Sequence, residues 1–198
     1  MCTPEDYMDS YDSFCDDTIA INKSGKALKD IVGEQYENHR RRIYEKMGLD
    51  VRNEIHDPRL AGFNADWYIY DEKDNLLIIE ECKGHYVDSC FLERAVFGFA
   101  KTAARFLKLG VECPFFVLSS TTTYRLFHDK FEESLEVFDA AVRKVLLEKM
   151  RYFSVVPHDR FAPKKWLPHN RRPLQRTEET QVRLTKELKF LVEVGSTC

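Results

Sequence analysis

Residues 66–83 constrain this chain more than any other stretch. They read Asp-Trp-Tyr-Ile-Tyr-Asp-Glu-Lys-Asp-Asn-Leu-Leu-Ile-Ile-Glu-Glu-Cys-Lys. Two apolar, β-prone runs flank the polar stretch Asp71 to Asn75, which is the signature of a hairpin. The first run opens on Asp66 and the second closes on Glu81-Cys82-Lys83. Side chains on a strand alternate between faces, so Glu81 and Lys83 share one face, while Glu80 and Cys82 take the other. A paired neighbouring strand can bring Asp66 beside Glu81. Two carboxylates next to one ammonium at the end of an apolar hairpin point to a divalent-metal site. Hard cations such as Mg²⁺ take oxygen ligands, usually one or two carboxylates plus water and substrate phosphate. The chemistry expected of such a site is phosphodiester hydrolysis, with Glu80 mattering far less than Glu81.

Asp66 followed by Glu81-x-Lys83 at the end of the next apolar strand resembles the PD-(D/E)xK nuclease superfamily. Gly33-Glu34-Gln35-Tyr36-Glu37, with Gly48 closing the same helical stretch, resembles the Gly-x-x-x-Glu helix that precedes the hairpin in many members. The match runs from Gly33 to Lys83, about a quarter of the chain, and departs from the family pattern at Ala65, where a proline often stands. The resemblance implies an α/β, restriction-endonuclease-like αβββαβ core, a mixed central sheet flanked by helices. It implies that Asp66, Glu81 and the backbone carbonyl of Cys82 hold one or two Mg²⁺ per active site, with Mn²⁺ as a substitute. Lys83 then holds the attacking water, and Glu37 points into the site to assist metal or water. The competing reading of Glu81 and Lys83 is a plain salt bridge at a strand end.

Within the superfamily, a compact chain of this length resembles the type II restriction endonucleases, which act on double-stranded DNA as homodimers. One Asp…Glu-x-Lys set per chain fits two copies related by a two-fold axis on a palindromic site. A Holliday-junction resolvase or DNA-repair nuclease of the same fold is the alternative within the enzymes. A non-catalytic DNA-binding domain is the alternative from another class. No GxSxG or GxxxxGK[ST] pattern is present.

The net charge of −3 looks wrong for a DNA-binding protein, but its distribution is uneven. Residues 1–18 hold six acids and no base, whereas residues 160–176 hold six bases and no acid. The chain therefore divides into an acidic N-terminal arm (1–22), a nuclease core (23–153) and an irregular basic C-terminal extension (154–198) as the DNA-recognition segment. Lys164, Lys165, Arg171 and Arg172 are its candidate DNA contacts, with Trp166 interleaved. His85, Lys101 and Arg125, the last in a Ser/Thr-rich run, are further candidates. Arg40-Arg41-Arg42 forms another basic group. No window approaches a membrane span, and the acidic N-terminus lacks a signal pattern, so a cytoplasmic protein without membrane contact is expected. Six scattered cysteines without CxxC spacing read as buried thiols.

Periodicity predicts helices over 24–47, 90–109, 129–152 and 178–193. It predicts strands over 49–55 and 115–118 besides the hairpin, with Gly48 and Gly110 as helix stops.

Overall fold

The computed structural model describes residues 28–53, 57–60, 62–83, 89–120, 131, 133–154 and 178–196. Helix α1 (Leu28–Lys46) leads into the short strand β1 (Asp50–Arg52). A 3-10 turn at Pro58–Leu60 precedes strands β2 (Trp67–Tyr70) and β3 (Leu76–Lys83). Helix α2 (Ser89–Leu109), strand β4 (Phe115–Ser120), helix α3 (Ala140–Lys149), strand β5 (Met150–Ser154) and helix α4 (Glu178–Ser196) follow. The five strands form one sheet in the order β1-β2-β3-β4-β5. The first three are antiparallel, and β3, β4 and β5 run parallel. The result is a mixed α/β fold, a central sheet flanked by helices.

Local chemistry explains the hairpin. The Asp71 carboxylate accepts the backbone N–H groups of Lys73 at 2.9 Å and Asn75 at 2.8 Å, and the Asn75 side-chain amide at 2.8 Å. Such side-chain bonds to the turn backbone stabilise it in place of strand pairing. A register shift between Ile69 and Tyr70 takes up the extra residue. Both expected helix stops are found. Gly48 (φ +81°) and Gly110 (φ +67°) adopt the left-handed conformation that glycine takes without strain. Beyond each, an N–H reaches back five residues, from Leu49 to Tyr44 and from Val111 to Phe106, both at 3.2 Å.

The alternation along β3 divides the core. Ile78 and Cys82 pack with Tyr36, Ile43 and Tyr44 of α1 and with Phe190, Leu191 and Val194 of α4. Ile79 packs with Leu92, Val96, Phe99 and Phe106 of α2 and with Val142 and Leu146 of α3. Cys82 and Cys113 are free, buried thiols.

The structure corrects the element expected over 129–152. Asp139 caps a shorter helix by accepting the N–H groups of Ala141 and Val142, and the chain turns into β5 at Met150. Leu135, Phe138, Val142, Val145 and Leu146 fall at helical spacing, and the periodicity carries the expected helix on to 152. The open edge of β4 decides otherwise, because its backbone groups need partners. Residues 150–154 supply them in parallel register, from Phe116↔Met150 to Ser120↔Ser154.

Candidate active site

Strand β2 covers β3 only as far as the pair Trp67↔Glu80. On the other side, β4 continues to Lys83↔Ser120. The last three residues of β3 therefore have one edge that β2 does not cover, and Asp66, immediately before β2, fills it. Its Oδ2 accepts the N–H of Cys82 at 2.6 Å. The N–H and C=O of one strand residue leave the backbone on the same edge. The Cys82 carbonyl thus faces the Asp66 side, away from β4. All this lies at the carboxyl ends of the parallel strands, where open α/β sheets place their ligand crevices.

Glu81 and Lys83 share the face expected of them, and the Lys83 ammonium stands 3.5 Å from a Glu81 carboxylate oxygen. Both side chains are partly buried, 13% exposed for Glu81 and 28% for Lys83. Glu37 comes from the third turn of α1 and is half-buried. Burial pushes the Glu37 carboxyl up to about 7, assisted by the negative charge of Asp66 and opposed by Lys83. Burial likewise pushes Glu81 up to about 7, assisted by Asp66 and Glu37 and opposed by Lys83. Asp66 is also raised by burial, against the Cys82 N–H bond and Lys83. The Lys83 ammonium thus draws down the carboxyls of Glu37, Asp66 and Glu81 against the rise that burial imposes.

Three partly buried carboxylates facing one ammonium carry surplus negative charge, and a cation relieves it. Among the described residues, no three His, Cys, Asp or Glu side chains converge closely enough to enclose a metal ion by themselves. That does not conflict with Mg²⁺, which keeps several waters and needs one or two carboxylates. Asp66, Glu81 and the Cys82 carbonyl are the groups that could serve as its ligands.

These shifts carry a stability prediction for the metal-free protein. The folded carboxyl of Glu81 holds its proton more tightly than the ordinary carboxyl at 4.5. Its contribution is fully present below pH 4.5 and is lost as pH rises through about 7. On the order of 3 kcal/mol is at stake for Glu81. Thermal melts in EDTA should show a midpoint falling by about 6–10 °C from pH 4.5 to pH 8. Glu81→Gln should reduce that slope, leaving the part that Glu37 contributes. An unchanged slope in the variant would mean that Glu81 does not titrate in this window.

The other candidates fare differently. Lys101 lies exposed on the outer side of α2, its ammonium 4.7 Å from the Phe97 ring centroid. It borders a cavity of about 470 Å³ with Phe63, Arg94 and Phe97. His85, Arg125, Lys164, Lys165, Arg171 and Arg172, and the arm 1–22, lie outside the described residues. Arg40-Arg41-Arg42 is not a common basic face: Arg42 is exposed, Arg41 reaches Glu45 at 3.5 Å, and Arg40 is fully buried.

Arg40 belongs to a network that the sequence reading missed. Its guanidinium grips both oxygens of the fully buried Glu80, at 2.6 and 3.2 Å. It also donates to Tyr44 at 3.1 Å and to buried Glu187 of α4. Glu80 further accepts the hydroxyls of Tyr44 and of Ser119, the latter at 2.5 Å. Strand alternation put Glu80 on the correct face, away from Lys83. Glu80 also has a structural duty that the strand alternation did not reveal, because that face is the buried interior rather than solvent. The available signal was Arg40 itself, a charge on the apolar stripe of Tyr36, Ile43, Tyr44 and Met47.

Among the described residues, no helix is long and apolar enough to cross a membrane. No protein-family model matches the chain, and neither a characterised protein nor a solved structure shows significant similarity to it.

Proposed function

We propose that this protein is a Mg²⁺-dependent endonuclease of the PD-(D/E)xK type that hydrolyses phosphodiester bonds in double-stranded DNA. The observation that carries the reading is that Asp66 is bonded to the Cys82 N–H at the carboxyl end of β3, where Glu81 and Lys83 pair at 3.5 Å, with burial raising the Asp66, Glu81 and Glu37 carboxyls. The order helix, three antiparallel strands, helix, parallel strand fits a restriction-endonuclease-like core, extended here by α3, β5 and α4.

In this reading Asp66, Glu81 and the Cys82 carbonyl hold the cation. Bound there, Mg²⁺ would lower the pKa of a coordinated water and neutralise charge on the phosphoryl oxygens. Lys83 orients the attacking water and stabilises its hydroxide form. Glu37, on α1, would hydrogen-bond a metal-bound water or assist the cation. The Asp66 bond to the Cys82 N–H fixes one ligand against the strand carrying the other. We further propose a type II restriction enzyme acting as a homodimer in the cytoplasm, since each chain carries one catalytic set and a two-fold site needs two.

Supercoiled plasmid tests this reading. Mg²⁺ should support nicking or linearisation, EDTA should abolish it, and Ca²⁺ should permit binding with little cutting. Discrete fragments would mark a restriction-type enzyme and a smear a non-specific one. Full cleavage in EDTA would overturn the metal site, and a mobility shift without any cutting would leave a DNA-binding domain.

A further inference from the structure

Behind the candidate site, one guanidinium joins three elements that are far apart in sequence. Arg40 lies on α1, Glu80 on β3 and Glu187 on α4. All three are essentially buried. Arg40 follows Glu37 by three residues, one turn of α1, and Glu80 directly precedes Glu81. The two-point grip of Arg40 on Glu80 therefore ties the helix bearing Glu37 to the strand bearing Glu81 and Lys83. Glu187 takes another donor of the same guanidinium, and the Arg40 charge lies 5.5 Å from the Tyr44 ring centroid and 5.9 Å from that of Phe153. A planar fork holding two carboxylates fixes angle as well as distance, which an ammonium does not.

We propose that Arg40 is a positioning residue for the site, and that the C-terminal helix completes it through Glu187. The clasp sets the angle of α1 against β3 and so the placement of Glu37 opposite Glu81 and Lys83. Its consequence for rate rests on the nuclease reading, while its consequence for geometry does not. A buried triad of this kind adds little to stability compared with well-packed neutral side chains. Its use is in fixing which arrangement is adopted. A misplacement of about 1 Å at a catalytic group costs rates up to about a hundredfold.

The test uses the full chain. The charge-free variant Arg40→Met/Glu80→Gln/Glu187→Leu strands no ion; the new amide oxygen at position 80 accepts from one of the Tyr44 and Ser119 hydroxyls, and the amide NH2 donates to the other, which turns to accept. We expect a urea midpoint close to that of the unsubstituted protein, with single-turnover nicking at saturating Mg²⁺ slower by about tenfold or more. Its crystal structure should show the Glu37 carboxylate displaced from Lys83. A folded variant with full rate and Glu37 in place would overturn the proposal. If the triple variant fails to fold, Arg40→Lys decides. It keeps the charge but cannot grip Glu80 at two points and reach Glu187, so kcat should fall with KM little changed. Unchanged kcat would overturn the proposal. If the unsubstituted protein cuts no DNA, the nuclease reading falls. The clasp is then judged by crystal structures of the Arg40→Lys and unsubstituted proteins: Glu37 displaced supports it, and Glu37 in place refutes it.

Discussion

Asp66→Asn, Glu81→Ala and Lys83→Ala should each slow plasmid nicking by roughly 10² or more, with the fold retained. Asparagine is the informative replacement at position 66. The Asp66 side chain has a structural duty besides its proposed catalytic one, because its Oδ2 accepts the Cys82 N–H at 2.6 Å. Alanine there would orphan a partly buried donor at a cost of about 1–3 kcal/mol and confuse stability with chemistry. The asparagine oxygen keeps that bond and removes only the charge. Glu81 and Lys83 pair with each other at 3.5 Å, and both retain some exposure. Circular dichroism should report an unchanged fold for all three variants. Lys144→Ala, exposed on α3, is the control and should stay within a few-fold of the unsubstituted protein. Three active variants with intact folds would reduce Glu81 and Lys83 to a salt bridge at a strand end.

The second large effect is expected on stability. Glu80→Ala and Arg40→Ala should each lower the unfolding free energy by about 3–5 kcal/mol, because each leaves a buried ion with too few partners. Loss of Glu80 deprives Arg40 of its two-point partner and leaves the hydroxyls of Tyr44 and Ser119 without their acceptor in that network. Loss of Arg40 leaves the buried Glu80 and Glu187 carboxylates without the cation between them. A melting point lower by about 10 °C is the corresponding scale for a chain of this size. Differential scanning calorimetry at fixed pH, with EDTA throughout, isolates this effect from metal binding. A change under about 1 kcal/mol in both variants would mean that water enters and solvates the stranded charge.

The adjacent glutamates of β3 show where sequence reasoning holds and where it stops. The alternation of a strand is a backbone property, so Glu80 and Glu81 could be assigned to opposite faces from the sequence alone. What those faces meet is not a backbone property. The Glu81 side looks towards Lys83 and Asp66. The Glu80 side is closed by α1 and, from more than a hundred residues away, by α4. The same local code at both positions thus yields a partly buried catalytic candidate and a fully buried structural ion.

By itself the sequence determined the hairpin, its polar turn, the shared face of Glu81 and Lys83 and the glycine stops at Gly48 and Gly110. Each of these follows from steric preferences and periodicities that act within a few residues. Only the tertiary structure decided that Met150–Ser154 leaves the helical pattern to pair with β4, since the need came from an open sheet edge elsewhere. It alone removed Arg40 from the basic run and placed it between Glu80 and Glu187. It also half-buried Glu37 and buried most of Glu81, and that burial, with the charge of Asp66, raises their carboxyls above the ordinary range. The physical reason is the same in each case. Burial and charge pairing depend on which distant segments pack together, and a single chain's local pattern does not encode that.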